Sequence, residues 1–140
     1  MSGKPIVAGA AEGIALVSDE PLSFWGGYDA ATGEIIDRRH PLSGQSAAGR
    51  VLALPFSRGS STTAAVLLEA IRADTAPAAI ITTGVDSFFA LASIVADEMY
   101  GQPIPIVALQ PGDFARLKTG MLLHVAANGS VNASEAPLDR

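Results

Sequence analysis

Seven consecutive polar or small residues, "SRGSSTT" (57–63), carry the chemistry that this sequence most readily suggests. Arg58 is a fixed cation that can hold a carboxylate through two hydrogen bonds, and Gly59 allows a ligand to approach the backbone closely. Four hydroxyl residues, Ser60 to Thr63, follow at the start of a helical pattern. Because the amino end of a helix attracts carboxylates and phosphates, the stretch predicts an anion cradle with a hydroxyl suited to proton abstraction from an acidic C–H.

The same hydroxyl residues also fit a simpler structural role. Ser and Thr are common N-caps, and one hydroxyl would then only satisfy backbone N–H groups. A cap leaves the other three hydroxyls and Arg58 unexplained. The stretch lacks the lysine of a Walker A loop and is not a G-x-S-x-G nucleophile elbow. No histidine or carboxylate follows it locally, so a catalytic serine here would need the helix amides and Arg58 to stabilise its alkoxide.

Other polar positions predict structural roles more readily than chemical ones. At the second strand-to-helix junction, "TTGVDSFFAL" (82–91), either Asp86 or Ser87 is expected to cap a helix, and an acidic cap opposes anion binding. His40, in "DRRHPLSG" (37–44), could reach a site as an accessory group, although a solvated loop histidine is the more frequent case. His124 lies inside an apolar strand pattern and is interpreted as structural.

The elements that must position these residues alternate between strand and helix in the middle of the chain. "GRVLALP", "APAAIITTG" and "PIPIVAL" are apolar runs typical of strands buried on both faces. "STTAAVLLEAIRA" and "DSFFALASIVADEMYG" between them have helical spacing, and Gly101 closes the second helix. The pattern predicts an α/β fold, a central parallel βαβαβ sheet with right-handed crossovers.

The two ends of the chain are β-rich. "KPIVAGAAEGIALV" predicts an N-terminal hairpin of two short strands (6–8 and 13–17), and "MLLHVAANGSVNA" predicts a C-terminal hairpin around an Asn-Gly turn. We expect one domain over residues 1–140, with loose tails at 1–4 and about 133–140. Between the first hairpin and the βαβαβ unit, Phe24, Trp25 and Tyr28 are expected to anchor a long loop by burial, and residues 33–36 a brief strand.

Composition excludes several classes of protein. The 140 residues contain no cysteine, which excludes disulfides and thiolate ligands, and the two histidines are too far apart in sequence to suggest a zinc site. The net charge of −5 and the lack of a basic cluster argue against nucleic acid. With no signal peptide and no apolar run of roughly 18 residues, we expect a cytoplasmic protein without a membrane partner. The charged fraction is 16%, against about 25% in an average domain, which favours a large permanent interface.

Several separated motifs, in the same order, resemble the small subunit, or swivel domain, of the aconitase X family. The most specific are "PLSFWGGYD" (21–29), "GEIIDRRHPLSG" (33–44) and "GRVLALPFSRGS" (49–60), followed by "PAAII" (77–81) and "ADEMYGQPIP" (96–105). The resemblance covers about residues 13–109. It implies a swivelling β/β/α domain related to the mobile fourth domain of aconitase, which agrees with the β-rich ends around a βαβαβ centre.

The resemblance also implies a hydro-lyase shared between two subunits. In this family the large subunit carries the iron site, an iron or iron–sulfur cluster, and most substrate contacts, while the swivel domain holds no cofactor and contributes a serine as general base. The matching position is Ser60, after the glycine of "G-S-S", and Ser61 is the less favoured neighbour. Arg58, Gly59 and the amides of Ser61 and Thr62 are then expected to support the Ser60 oxyanion or the substrate carboxylate.

The substrate follows from the resemblance alone. The loop and the segment before it look more like the bacterial cis-3-hydroxy-L-proline dehydratases, which make Δ1-pyrroline-2-carboxylate, than the archaeal phosphomevalonate dehydratases. Both substrates remain open, and the expected partner is an aconitase X large subunit in a heterodimer or larger assembly, with a small carboxylate as substrate. Two other classes also remain open: a non-catalytic regulatory or docking partner, and a stand-alone binder of small ligands at the helix N-terminus.

Overall fold

A computed structural model describes residues 1–57 and 61–134 and, of Ser61, the backbone. In this part of the chain the elements follow in the order β1 (Lys4–Val7), β2 (Ala11–Val17), β3 (Val51–Ala53), α1 (Ser61–Arg72), β4 (Ala79–Thr82), α2 (Ser87–Tyr100), β5 (Ile106–Ala108), α3 (Pro111–Phe114), β6 (Leu122–Val125) and β7 (Val131–Ser134). The predicted βαβαβ unit is therefore confirmed as β3-α1-β4-α2-β5.

The strands form one mixed sheet in the order β1-β5-β4-β3-β2-β6-β7. Strands β2 to β5 run parallel, while β1, β6 and β7 add antiparallel pairs at the two sides. Nearly every residue of β3, β4 and β5 is buried, which is why these strands are apolar throughout rather than alternating. The predicted C-terminal hairpin is confirmed as β6–β7, with Gly129 of its Asn-Gly turn at φ +91°.

The predicted N-terminal hairpin is wrong, because β1 and β2 do not pair with each other. β1 pairs with β5, and β2 lies between β3 and β6. In a flat sheet β1 and β2 would be separated by four strand spacings, roughly 19 Å. The link between Val7 and Ala11 reaches about 14 Å at most. The sheet must therefore curl, bringing its first and last strands towards each other.

The start of the chain closes this curl instead of forming the loose tail expected for residues 1–4. The Met1 ammonium donates to the Val131 carbonyl at 2.8 Å, and the Val131 N–H donates to the Met1 carbonyl at 2.8 Å. The Gly3 N–H donates to the Gly129 carbonyl at 3.0 Å. The β6–β7 turn thus holds the N-terminus. Of the second predicted tail, residues 135–140 lie outside the described residues, and 133–134 belong to β7.

Two apolar cores lie on opposite faces of the sheet, since alternate strand residues point to opposite sides. On one face, Leu52 and Ile80 pack with α1, α2 and the long segment between β2 and β3. On the other, inside the curl, Val51 and Ile81 pack with α3 and the β6–β7 hairpin. The two longer helices, α1 and α2, therefore lie together on one face, and their amino ends share one edge of the sheet with the carboxyl ends of β3 and β4.

The long segment between β2 and β3 follows the prediction only in part. Phe24 and Tyr28 are buried and stack with ring centroids 4.7 Å apart, and Phe24 also meets Phe89 of α2 edge-on at 5.1 Å. Trp25 is 69% exposed, so the expectation that it anchors the loop by burial is wrong. Residues 33–36 form isolated bridges to Tyr28 and to residue 46 rather than a strand.

Candidate functional site

The residues predicted to do chemistry belong to the edge where β3 leads into α1. β3 ends at Ala53 and α1 begins at Ser61, within the run of hydroxyl residues predicted to start the helix. The first turn of α1 contains no acidic residue. No side-chain carboxylate there neutralises the positive end of the helix dipole, which therefore remains able to attract an anion. The Leu54 N–H donates to the Ile81 carbonyl, which carries the pairing of β3 with β4 beyond the end of β3.

The three residues at the centre of the prediction, Arg58, Gly59 and Ser60, lie outside the described residues. Ser61 is described as the first residue of α1 by its backbone. Thr62 is exposed, and Thr63 is 1% exposed in the first turn of the helix. Thr62 therefore lies on the exposed face of α1, while Thr63 lies on its buried face.

Ser57 and Asp86 join the two strand-to-helix junctions directly. The Ser57 N–H donates to Asp86 Oδ2 at 2.6 Å, and the Ser57 hydroxyl donates to the same oxygen at 2.7 Å. The other carboxylate oxygen, Oδ1, accepts the N–H groups of Phe88 and Phe89 at 3.1 Å each. Asp86 is thus the N-cap of α2, which resolves the open choice between Asp86 and Ser87. The sequence does not reveal its bonds to Ser57.

The threonines of the second junction support the loop rather than face a ligand. Thr83 donates through its N–H and its hydroxyl to the Pro55 carbonyl, at 3.2 and 3.1 Å. The Thr82 hydroxyl donates to the Gly84 carbonyl at 2.6 Å. The second junction therefore hydrogen-bonds to the first at two residues, Pro55 and Ser57.

His40 is 7% exposed, so the expectation of a solvated loop histidine is wrong. Its Nδ1 accepts the Leu42 N–H at 3.1 Å, which requires the tautomer whose Nε2–H donates to the Glu20 carbonyl at 3.2 Å. Both ring nitrogens are thus engaged in holding the loop. His40 lines a cavity of about 250 Å³ with Glu20, Pro21, Asp37 and Arg39.

The His40 loop lies on the same side of the molecule as the candidate site, because Leu22, two residues after Glu20, bridges Ser57 in parallel. His124 is on β6 with its side chain 47% exposed, 3.8 Å from a Glu12 carboxylate oxygen on β2, so it belongs to a strand surface. A larger cavity, about 690 Å³, opens at the opposite edge of the sheet, where residues 76–78 precede β4 and 101–104 precede β5.

Three large apolar side chains are exposed close to the site in sequence. Phe56, 53% exposed, precedes Ser57, and Val85, 65% exposed, precedes Asp86. Trp25, 69% exposed, follows the Leu22 bridge by three residues. We call Trp25, Phe56 and Val85 the apolar rim. Large apolar groups grouped at a functional edge are typical of a surface that another protein covers.

Within residues 1–57 and 61–134, no cluster of three or more His, Asp or Glu side chains is arranged to hold a metal ion. The whole chain also lacks cysteine. The described residues therefore do not fit an iron or iron–sulfur centre.

A family model described as the aconitase X swivel domain matches residues 1–133. The chain belongs to this family. The crystal structure of Thermococcus kodakaraensis aconitase X in its holo-form superposes with a TM-score of 0.85 at 38% identity, over 96% of this swivel domain and 97% of that chain. The predicted fold is therefore confirmed, including its relation to a swivelling domain.

Two kinds of curated relative match this swivel domain. It is 49% identical over 106 residues to the cis-3-hydroxy-L-proline dehydratase of Pseudomonas aeruginosa, which covers 76% of the chain and 18% of the relative. It therefore spans less than a fifth of that relative's length. It is 38% identical over 128 residues to the phosphomevalonate dehydratase small subunit of Thermococcus kodakarensis, covering 91% of the chain and 90% of the relative. None of the described helices is long and apolar enough to cross a bilayer.

Proposed function

We propose that this swivel domain is the small subunit of a heteromeric aconitase X hydro-lyase that dehydrates cis-3-hydroxy-L-proline to Δ1-pyrroline-2-carboxylate. The observation that carries the proposal is the 49% identity to a cis-3-hydroxy-L-proline dehydratase. The fold supports it, because the motif that resembles the family's serine loop follows β3 at the carboxyl edge of the parallel strands, where α/β proteins bind ligands.

The role proposed for this chain is proton abstraction. Ser60 removes the proton from C2 of the substrate, the carbon next to the carboxylate, and the hydroxyl on C3 leaves as water after taking up a proton. The resulting enamine tautomerises to the product imine. Arg58 and the amino end of α1 hold the substrate carboxylate or stabilise the Ser60 oxyanion, supported by Gly59, Ser61 and Thr62. The absence of acidic residues from the first turn of α1 favours this role.

The remaining chemistry is assigned to a large subunit. The described residues do not fit an iron centre, so we expect the iron or iron–sulfur group on the partner, where it would act as a Lewis acid on the leaving hydroxyl. This swivel domain then contributes the base and closes the site against water. His40, held at both ring nitrogens, is assigned a supporting role in the scaffold.

The apolar rim supports a partner at this edge. Each of its three exposed side chains lies within three residues of Ser57 or of a residue that pairs with Ser57, and the low charged fraction of 16% leaves much of the surface apolar. A cytoplasmic large subunit that seats on the rim would bury these side chains and place substrate against the β3–α1 loop.

A phosphomevalonate dehydratase is the second candidate. The swivel domain matches the small subunit of the Thermococcus kodakarensis enzyme nearly end to end, with 91% of the chain and 90% of the relative covered. That observation favours the same two-subunit architecture with a phosphorylated substrate. Arg58 and a helix amino end would suit either anionic group.

The experiment is reconstitution with the large subunit of the same organism. Turnover of cis-3-hydroxy-L-proline and of phosphomevalonate is measured for the large subunit alone, this chain alone and the pair. We expect the pair alone to dehydrate cis-3-hydroxy-L-proline. Full activity of the large subunit alone would favour a regulatory or docking role for this chain, and turnover of phosphomevalonate instead would favour the second candidate.

A further inference from the structure

We propose that Asp86 is a positioning residue for the β3–α1 loop, one that fixes Ser57 and thereby the start of the segment that carries Ser60. The inference rests on the proposed role of Ser60 as the base. It assigns to Asp86 a task beyond capping α2, and it assigns to Ser57 a role in the same site.

The carboxylate of Asp86 divides its two oxygens between two elements. A cap needs one oxygen, and Oδ1 fills that role with Phe88 and Phe89. Oδ2 serves the other junction, accepting both the backbone N–H and the hydroxyl of Ser57. The residue is 7% exposed, so these bonds form with little competition from water. One side chain thus ties the loop before α1 to the first turn of α2.

The hydrogen bonds between Asp86 and Ser57 connect the loop to buried parts of the molecule. Phe89, whose N–H binds Oδ1, is fully buried, and its ring packs on Phe24 at 5.1 Å. Ser57 is also paired with Leu22, itself fully buried. Because Ser57 is held from both sides, the residue immediately before the segment 58–60 has a fixed position. Such control of a catalytic group from a distance can govern rate strongly.

The buried negative charge of Asp86 is compatible with an anion-binding site nearby. Within the part of the chain that the structure describes, the donors to Asp86 are three backbone N–H groups and one hydroxyl, all neutral, and the positive end of α2 points at the carboxylate. Asp86 is thus compensated by its own helix and loop.

The Asp86→Asn variant tests the hydrogen bonds to Ser57 separately from the N-cap of α2. Asn is as good an N-cap as Asp, so its carbonyl oxygen can keep the bonds to Phe88 and Phe89. Its NH₂ group then faces the Ser57 N–H, and a donor meets a donor. Ser57→Ala removes the hydroxyl bond and keeps the N–H bond. The matched control is Asp29→Asn, at a carboxylate whose Oδ1 accepts the Ala31 N–H at 2.9 Å in an exposed turn.

The first measurement is amide hydrogen exchange on the full chain. In Asp86→Asn the Ser57 amide is expected to exchange at least about tenfold faster, because its acceptor is gone, while the amides of Phe88 and Phe89 keep their protection. Asp29→Asn should leave all three amides unchanged. Unaltered protection of Ser57 in Asp86→Asn would overturn the tie itself.

The second measurement is turnover of the complex with the large subunit, using cis-3-hydroxy-L-proline and its C2-deuterated form at a temperature where circular dichroism shows every variant folded. We expect Asp86→Asn to lower kcat about 100-fold with KM changed less than about threefold, and to raise the deuterium isotope effect, because proton abstraction becomes slower. For Ser57→Ala, both kcat and the isotope effect should lie between the values for Asp86→Asn and the wild type. Wild-type kcat and isotope effect in Asp86→Asn would overturn the positioning role. A Ser60→Ala complex with wild-type turnover would instead overturn the proposed function, whatever the Asp86 variants do.

Discussion

The phenol of Tyr28 donates a hydrogen bond to the backbone carbonyl of Thr75 at 2.8 Å, tying the long segment between β2 and β3 to the residues after α1. The Thr75 hydroxyl returns the contact by donating to the Ala30 carbonyl at 2.6 Å. Tyr28 is 4% exposed and stacks on Phe24, and burial raises the pKa of Tyr28 above its usual range. This pair of contacts holds the segment against the helical face of the sheet.

Tyr28→Phe is expected to lower the free energy of unfolding by about 1–2 kcal/mol at pH 7, because the half-buried Thr75 carbonyl loses its donor. Because Tyr28 stays neutral in the folded protein, the wild-type advantage over Tyr28→Phe in the free energy of unfolding is fully present below the unfolded pKa of about 10. Above it, the unfolded phenol ionises while the folded one does not, and the advantage falls by about 1.4 kcal/mol per pH unit. Urea unfolding of both proteins from pH 7 to 11 measures this difference. A constant difference across that range would contradict the assignment.

The parts of the fold that the sequence predicts are those fixed by local patterns. The runs that became β3, β4 and β5 are apolar throughout because both faces are covered. Asp86 and Gly101 mark the ends of α2, and Gly101 adopts the left-handed conformation with φ 64° that a closing glycine favours. The Asn-Gly turn fixes the β6–β7 hairpin in the same way.

The parts that the sequence does not predict depend on contacts between distant segments. β1 pairs with β5 because the whole sheet curls, which no local pattern encodes. His40 is buried because Glu20 and Leu42 supply partners for its ring, and the Asp86–Ser57 tie joins residues 29 positions apart. A polar residue just after one parallel strand, level with an acidic cap after the next, is a signal that could have predicted that tie.

His40→Ala is expected to act on stability rather than on catalysis. The change leaves the Leu42 N–H and the Glu20 carbonyl without their partner, at a cost of about 1–3 kcal/mol in the free energy of unfolding. In the complex, kcat should stay within about threefold of wild type once the fraction of folded protein is taken into account. A loss of more than about tenfold in kcat in folded protein, measured together with urea unfolding, would instead assign His40 an accessory role in the reaction.

Ser60→Ala tests the proposed base directly. We expect kcat for cis-3-hydroxy-L-proline to fall about 10²–10⁴-fold, because the group that removes the C2 proton is gone, with binding to the large subunit unchanged. Ser61→Ala discriminates between the neighbouring serines and is expected to cost less. Ser46→Ala is the matched control, at an exposed residue whose hydroxyl makes two long contacts, donating to the Thr32 carbonyl at 3.4 Å and accepting the Ala48 N–H at 3.3 Å. Near-normal turnover by the Ser60→Ala complex would refute the assignment.

The apolar rim predicts where the large subunit binds. Trp25→Ala removes a large, 69% exposed aromatic side chain and is expected to weaken the complex by about 2 kcal/mol, or roughly 30-fold in Kd, while leaving the unfolding transition of this chain unchanged. Phe56→Ala should weaken it less, because Phe56 is smaller and 53% exposed. The matched control is Met99→Ala, which removes a side chain that is 61% exposed near the carboxyl end of α2, away from the rim.

Calorimetric titration of each variant with the large subunit separates the possibilities for this surface. If the rim is buried in the complex, Trp25→Ala and Phe56→Ala weaken binding and Met99→Ala does not, and the loss in Trp25→Ala appears mainly as faster dissociation. Equal binding by all three variants would mean that the partner seats elsewhere. A larger loss in Met99→Ala than in Trp25→Ala would move the interface to the far end of α2, where Tyr100 is also 37% exposed. The site would then be closed from another direction than the one proposed, because α2 ends at the edge of the sheet opposite to the β3–α1 loop.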